Sequence, residues 1–388
     1  MKRARGDRLL RNGNLARVEL IRHERFFAFL VTGAAGCDIT IPTPKNHKNS
    51  RSTEQMRIPQ ALFALSFVFG LGAQALVAQE AGGASRTSAS TGNAGIAMGD
   101  SAVEPDAYRQ RRFHLGFGRL FSNDRLGDGK DRWRTGSYVI SNVRGYDWDG
   151  ELPDSFGSLV EYRSRSEIIA PSNVSNPDEG ARRHAGVLSF GAHTMWQYEG
   201  VELALGADAV FVGPQTGLGK FQKWIHERTD NPLPDLSDQI EDAFYPTLTF
   251  EAGKTFSYGL LDVRPFAQTM IGSETLVRFG GDILLGWVGH KDVWLRDVTT
   301  GIRYAATREE EMGGSIFIGA DVAKVASSKF LPGDEGYELS DLRKRLRAGY
   351  RVQGDKLGIF YGMTYLSPEF EGQSEGQVTG SVQFKLRF

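Results

Sequence analysis

The stretch QVTGSVQFKLRF, residues 377–388, alternates with period two. Val378, Gly380, Val382, Phe384, Leu386 and Phe388 share one parity; Thr379, Ser381, Gln383, Lys385 and Arg387 share the other. Successive side chains of a strand point to opposite faces, so this pattern sets an apolar face against a polar one. Upstream, Leu357, Ile359, Tyr361, Met363 and Tyr365 repeat it opposite Gly358, Gly362 and Thr364. Leu342, Leu346, Ala348, Tyr350 and Val352 alternate with Arg343, Arg345, Arg347 and Arg351. Val201, Leu203, Leu205, Ala207 and Ala209 do so with Glu202 and Asp208 on the other face.

About twelve such segments follow residue 112, near 113–121, 134–145, 157–168, 185–197, 201–212, 243–256, 258–271, 277–288, 314–326, 342–353, 355–366 and 377–388. Many exceed the ~5–6 residues of a soluble strand and suit the ~9–11 that cross a bilayer obliquely. An even count of long strands behind an export signal predicts a transmembrane antiparallel β-barrel over 112–388, apolar side to lipid and polar side to the lumen. A soluble secreted all-β domain is the alternative, with the apolar faces turned inward. The aromatic ending on Phe388 resembles the C-terminal signal read by the outer-membrane assembly machinery, which is the expected partner at that strand.

The apolar run ALFALSFVFGLGAQALVA, residues 61–78, follows Met56 and Arg57 and precedes small residues. That is the layout of a signal peptide over 56–78, cleaved after Ala75 or Ala78; an N-terminal anchor is the alternative. Residues 1–55 read as an upstream over-extension of the reading frame, and 79–111, rich in Gly, Ser and Ala and then polar, as a linker. No other run is long enough for a membrane helix and mean hydropathy is −0.33, which excludes a polytopic helical protein. Net charge is −1, from 46 Lys and Arg against 47 Asp and Glu, so no bulk positive potential points to nucleic acid. The one cysteine, Cys37, excludes an intramolecular disulfide framework and a multi-cysteine metal site. The 47 glycines suit many strands and turns.

If the mature chain starts in the periplasm, connections 1–2, 3–4 and 5–6 lie at the cell surface. The turns at 198–200 and 353–356 are suitably short for the other rim; the stretch 289–313 is too long for a turn there. Three polar groupings fall at the outward connections. SNDRLGDGKDRWRTGSY, residues 122–138, places Asn123 and Asp124 side by side, with Asp128 and Asp131 following. Hard oxygen ligands on a glycine-containing loop suit Ca²⁺, although a plain polar hairpin loop has the same look. GPQTGLGKFQKWIHE, residues 213–227, switches to helical period. Leu218, Phe221 and Ile225 form an apolar stripe, while Gln222 and His226, four apart, share a separate face. A histidine near oxygen ligands can serve as general base; a surface helix with an incidental histidine is the alternative. ARRHAG, residues 181–186, offers Arg182 and Arg183 to anionic head groups, or a solvated loop.

Taken in order, ND…DRWRTG, APSN…RRHAG and GP…QKWIH resemble the lipid A 3′-O-deacylase family of outer-membrane enzymes. That family carries an Asn-Asp pair, a DR.YT.G run, a TP…DRPYAG stretch and GP…Q…H…GW..Q. Here Asn123, Asp124, Asp131, Arg132, Thr135 and Gly136 match the first part. Pro171, Arg182, Ala185 and Gly186 match the next, and Gly213, Pro214, Gln222, His226 and Gln239 the last. Ser122 stands where the family often has Glu, ARRHAG lacks the motif's aspartate and proline, and PLPDLSDQ replaces the Gly-Trp before the last glutamine. The resemblance implies a barrel of about 12 strands with a short helix in a surface loop, facing the outer leaflet. It also implies hydrolysis of an ester-linked acyl chain of lipid A in lipopolysaccharide. His226 would activate water, Gln222 would orient water or substrate, and Thr135 would support the site from the second strand. Ca²⁺, held by Asn123 and Asp124, would polarise the carbonyl. Arg182 and Lys223 are expected to meet the substrate's anionic groups, and the protein to act as a monomer. A passive barrel and an outer-membrane phospholipase with a Ser–His pair remain the rival readings.

Overall fold

The computed structural model describes residues 111–386 except Glu179. The expected over-extension, signal peptide, all but the last residue of the linker, and Phe388 lie outside the described residues. The elements are β1 (Phe113–Asn123), β2 (Trp133–Gly145), β3 (Leu159–Ala170), β4 (Ala185–Tyr198), β5 (Val201–Val212), α1 (Leu218–Thr229), β6 (Ala243–Gly253), β7 (Phe256–Tyr258), β8 (Leu261–Ile271), β9 (Glu274–Gly286), β10 (Trp294–Arg296), β11 (Arg303–Ala305), β12 (Gly313–Ser328), β13 (Arg343–Gln353), β14 (Leu357–Leu366) and β15 (Gln377–Leu386). Neighbouring wall strands pair antiparallel from β1 to β6, β6 pairs with β8, and β8, β9, β12, β13, β14 and β15 continue to close on β1. The result is a closed barrel of twelve strands, with β7 lying beside β8 beyond the end of β6.

The direction of the faces is settled by β13. Arg343, Arg345, Arg347 and Arg351 are buried, while Leu346 is 58% exposed and Tyr350 41%. On β15 Thr379, Ser381 and Gln383 are buried and Phe384 and Leu386 face outward. Apolar residues therefore form the outer surface, the inverse of a soluble sandwich. Buried guanidinium groups are tolerated only where acceptors meet them. Arg347 reaches Asp282 at 2.7 Å, Arg345 and Arg278 reach Asp321 at 3.0 and 2.6 Å, and Arg264 reaches Glu251 at 2.8 Å. At one rim the β4–β5 turn is two residues, Glu199 (φ 50°) and Gly200 (φ 72°), the double positive φ that suits the right-handed twist of a hairpin.

The stretch 289–313 is a lumen plug. Its hairpin, β10 and β11, buries Leu295, Ile302, Tyr304 and Ala306 against Leu120, Val139, Val143, Leu159, Phe317 and Phe360 of the wall. A barrel of twelve strands is wider than the ~8-strand size that wall side chains fill unaided. The plug is also hydrogen-bonded in place: Arg296 binds Glu251 and Asp282, each at 2.8 Å, and Gln383 Nε2 donates to the Ala305 carbonyl at 2.9 Å. Lys385 likewise donates to the Thr307 carbonyl. The β1–β15 seam is short, from Phe121↔Val382 to Asn123↔Gly380. Replacing residues 289–312 by a short turn is expected to convert a silent barrel into one with stepwise ion conductance in a planar bilayer. A folded, heat-modifiable variant that stays silent would show that the wall side chains close the lumen themselves.

Candidate active site

The β5–β6 connection is shaped by glycine and proline. Gly213 (φ 98°) turns the chain, Pro214 opens a 3-10 turn over Pro214–Thr216, and Gly217 (φ 71°) starts α1. Only glycine takes such angles at no steric cost. The helix ends at Asp230 (φ 56°), whose N–H donates to the His226 carbonyl. Gln222 and His226 are each 5% exposed and face the barrel rim. Of the expected apolar stripe only Leu218 is buried; Phe221 and Ile225 are half-buried, and Phe221 stacks on the exposed Trp224 at 5.9 Å. The helix thus lies on the barrel by its polar face.

Opposite it, Asn123 caps the 3-10 turn Asp124–Leu126, its Oδ1 accepting from the Arg125 N–H at 2.8 Å. Asp124 is fully buried. Its Oδ2 accepts from the Arg132 N–H at 2.8 Å and from Gln377 Nε2 at 3.3 Å, and its Oδ1 from the Thr135 hydroxyl at 3.1 Å. Burial, reinforced by the charges of Asp131 and Asp128, pushes its carboxyl up to about 8, against the lowering effect of those donors. Trp133 has φ 51°, rare for a bulky residue, and the β2–β3 register shifts between Arg134 and Gly136. This bulge re-aims Thr135, whose one hydroxyl proton is shared between Asp124 Oδ1 and Asp131 Oδ1.

The two halves meet at Asp131. Its Oδ2 lies 2.9 Å from His226 Nε2, and Gln222 Nε2 donates to its Oδ1 at 3.4 Å. His226 Nδ1 stands 2.6 Å from the Pro232 carbonyl, and Gln222 Oε1 is 2.9 Å from His184 Nε2. Burial opposes a charged His226, yet the bond to Asp131, the Pro232 carbonyl and the Asp131 charge outweigh it and raise its pKa. Asp131 is correspondingly held low: burial alone would raise it, and the bonds from His226 and Thr135 prevail. His226, Gln222, Asp124 and Thr135 therefore converge, with Asn123 beside them. Lys223 is exposed, one position round the helix from the site face. Arg182 is 1% exposed and ion-paired with Glu369, so it is held inside the rim rather than offered to a head group. Arg183 pairs with Asp238 and Glu335 at 2.8 Å. The reading from sequence gave Asp131 no role at His226, and missed His184 and Gln377; only the DRWRTG match pointed to the first.

A family model described as "Outer membrane protein LpxR" matches residues 88–388. The chain belongs to the LpxR family of outer-membrane proteins. The resemblance to lipid A 3′-O-deacylases stands with it. Among solved structures, LpxR from Salmonella typhimurium superposes with a TM-score of 0.56 at 16% identity, covering 70% of this chain and all of that one. The β domain of the Bordetella autotransporter BrkA and the KdgM porin each score 0.33, at 11% and 7% identity, over 70% of this chain and 99% of theirs. No curated protein matches the chain. The LpxR-family membership and the closed barrel together place the protein in the outer membrane.

Proposed function

We propose that this barrel hydrolyses an ester-linked acyl chain of lipid A, with the rim that carries α1 facing the outer leaflet. The observation that carries the reading is the His226–Asp131 pair at 2.9 Å, with Gln222 and Thr135 on the same carboxylate. The Pro232 carbonyl accepts the hydrogen bond from Nδ1–H, so Nε2 is the nitrogen that gains and loses a proton: protonated it donates to Asp131, and neutral it is the base. A water admitted beside Asp131 gives its proton to Nε2 as its oxygen attacks the acyl carbonyl. His226 then returns that proton to the departing sugar oxygen, releasing a fatty acid and a hydroxyl. Asp131 stabilises the imidazolium in between, and Gln222 orients the carboxylate and water. Lys223 on the exposed face of α1 is available to the substrate's phosphates.

Asn123 and Asp124 fit a bound Ca²⁺ by donor chemistry. Both offer hard oxygens, Asp124 Oδ1 accepts one donor and keeps a lone pair, and a cation would favour the charged carboxylate that burial, and then the charges of Asp131 and Asp128, oppose. Among the described residues no three His, Cys, Asp or Glu side chains are grouped for a metal, so backbone carbonyls would complete the set. Bound there, Ca²⁺ would supply polarisation of the ester carbonyl and charge for the oxyanion.

Two features disfavour the rivals. The lumen is plugged, against a porin. Among the described residues no histidine is hydrogen-bonded to a serine, against a Ser–His phospholipase. Purified protein given lipid A and, separately, phospholipid should shorten only the lipid A by one acyl chain in mass spectra, and excess Ca²⁺ chelator should stop the reaction while the barrel stays folded. Full turnover in chelator would remove the calcium role; acyl loss from phospholipid alone would overturn the substrate.

A further inference from the structure

His184 is 1% exposed, in the loop entering β4, and its Nε2 stands 2.9 Å from Gln222 Oε1. An amide oxygen can only accept, so Nε2 carries the proton and donates. Among the described residues that is the ring's one hydrogen bond, and Nδ1 is buried without a partner. Burial drives the ring toward its neutral form, which leaves Nε2–H as its single donor. The Asp131 carboxylate can only accept, so the Gln222 NH₂ faces its Oδ1, 3.4 Å away, and Oε1 faces His184, whose Nε2–H holds the amide in that sense from the other end. Turned over, the amide would set two acceptors against each other at Asp131 and lose the donation from His184 Nε2. The ring is tightly placed: a Cβ on Gly219 of α1 would stand 3.2 Å from its Cε1. Its backbone carbonyl accepts from the Ile240 N–H at 2.8 Å, joining the loop before β4 to the chain that returns from α1.

We propose that His184 is a positioning residue of this site, which orients the Gln222 amide so that its NH₂ braces the carboxylate partnered with His226. The inference rests on the deacylase reading above.

The test uses purified full-length barrel and lipid A, with fatty-acid release as readout. His184→Phe, a ring without a donor, should lower kcat about tenfold and leave KM nearly unchanged, because the contact orients a group and does not bind substrate. His184→Tyr should recover most of the loss. Gln222→Ala in the His184→Phe background should cost little beyond either change alone, since both remove one device. Normal kcat in folded His184→Phe, no recovery in folded His184→Tyr, or additive losses in the double variant would each overturn the proposal. Failure of the parent reading looks different, because wild type itself would then release nothing from lipid A. Should a variant not fold, heat-modifiability shows it, and His184→Gln, which restores an N–H donor on a smaller side chain, takes its place with the same expected recovery.

Discussion

His226→Ala is expected to lower lipid A deacylation at least about 10²-fold, the usual worth of a positioned general base. His226→Asn should be nearly as poor, because an amide can fill part of the space but cannot take the proton. The barrel should still assemble, since His226 lies on a rim helix outside the wall ladders. His193 supplies the internal control. It sits inside β4 with Nε2 3.1 Å from Asp208 Oδ2, within the lumen and away from Asp131. His193→Ala should leave turnover per folded barrel almost unchanged. If the His226 variant keeps near-normal turnover, the mechanism fails, and with it the case for an enzyme over a passive barrel.

The barrel was legible because alternation is a local signal. Each of the twelve wall strands overlaps the segment expected from period two, and the direction of the faces followed from strand length and number. The plug was not legible as a plug. Residues 289–313 hold only two three-residue strands, and their burial is created by wall residues that are mostly far away in sequence, such as Val139 and Leu159, more than a hundred positions upstream. Within the site, Gln222 and His226 were legible from helical spacing, but the side on which α1 lies was not. Phe221 and Ile225 argued for an apolar contact, whereas buried partners on other loops draw the polar face inward. Asp131 read as one loop aspartate among three until a bulge at Thr135 and a helix ninety residues on gave it partners. Gln377 lies on β15 and reaches Asp124 and the Arg132 carbonyl only because the barrel closes.

Asp131→Asn should leave a folded barrel with two separable defects. The first is in rate. A hydrogen bond to a charged group is worth about 1.5–3 kcal/mol. At 1.36 kcal/mol per decade, losing it from the imidazolium formed in the reaction should lower the plateau rate roughly 10- to 100-fold. The second is in pH dependence. A histidine can act as a base only when neutral, and the pKa of His226 stands above the ordinary histidine value because the pair with Asp131 and the Pro232 carbonyl outweigh burial. Wild-type activity should therefore climb with pH along a limb displaced above the ordinary histidine range. Removing the carboxylate charge leaves burial less opposed, so the histidine loses its proton more readily and the limb moves to lower pH. The variant is slower at its plateau and reaches that plateau at a more acidic pH. A merely destabilised barrel would show the lower rate without the shift, so an unmoved limb would mean that Asp131 is not the partner of His226 in the proposed reaction.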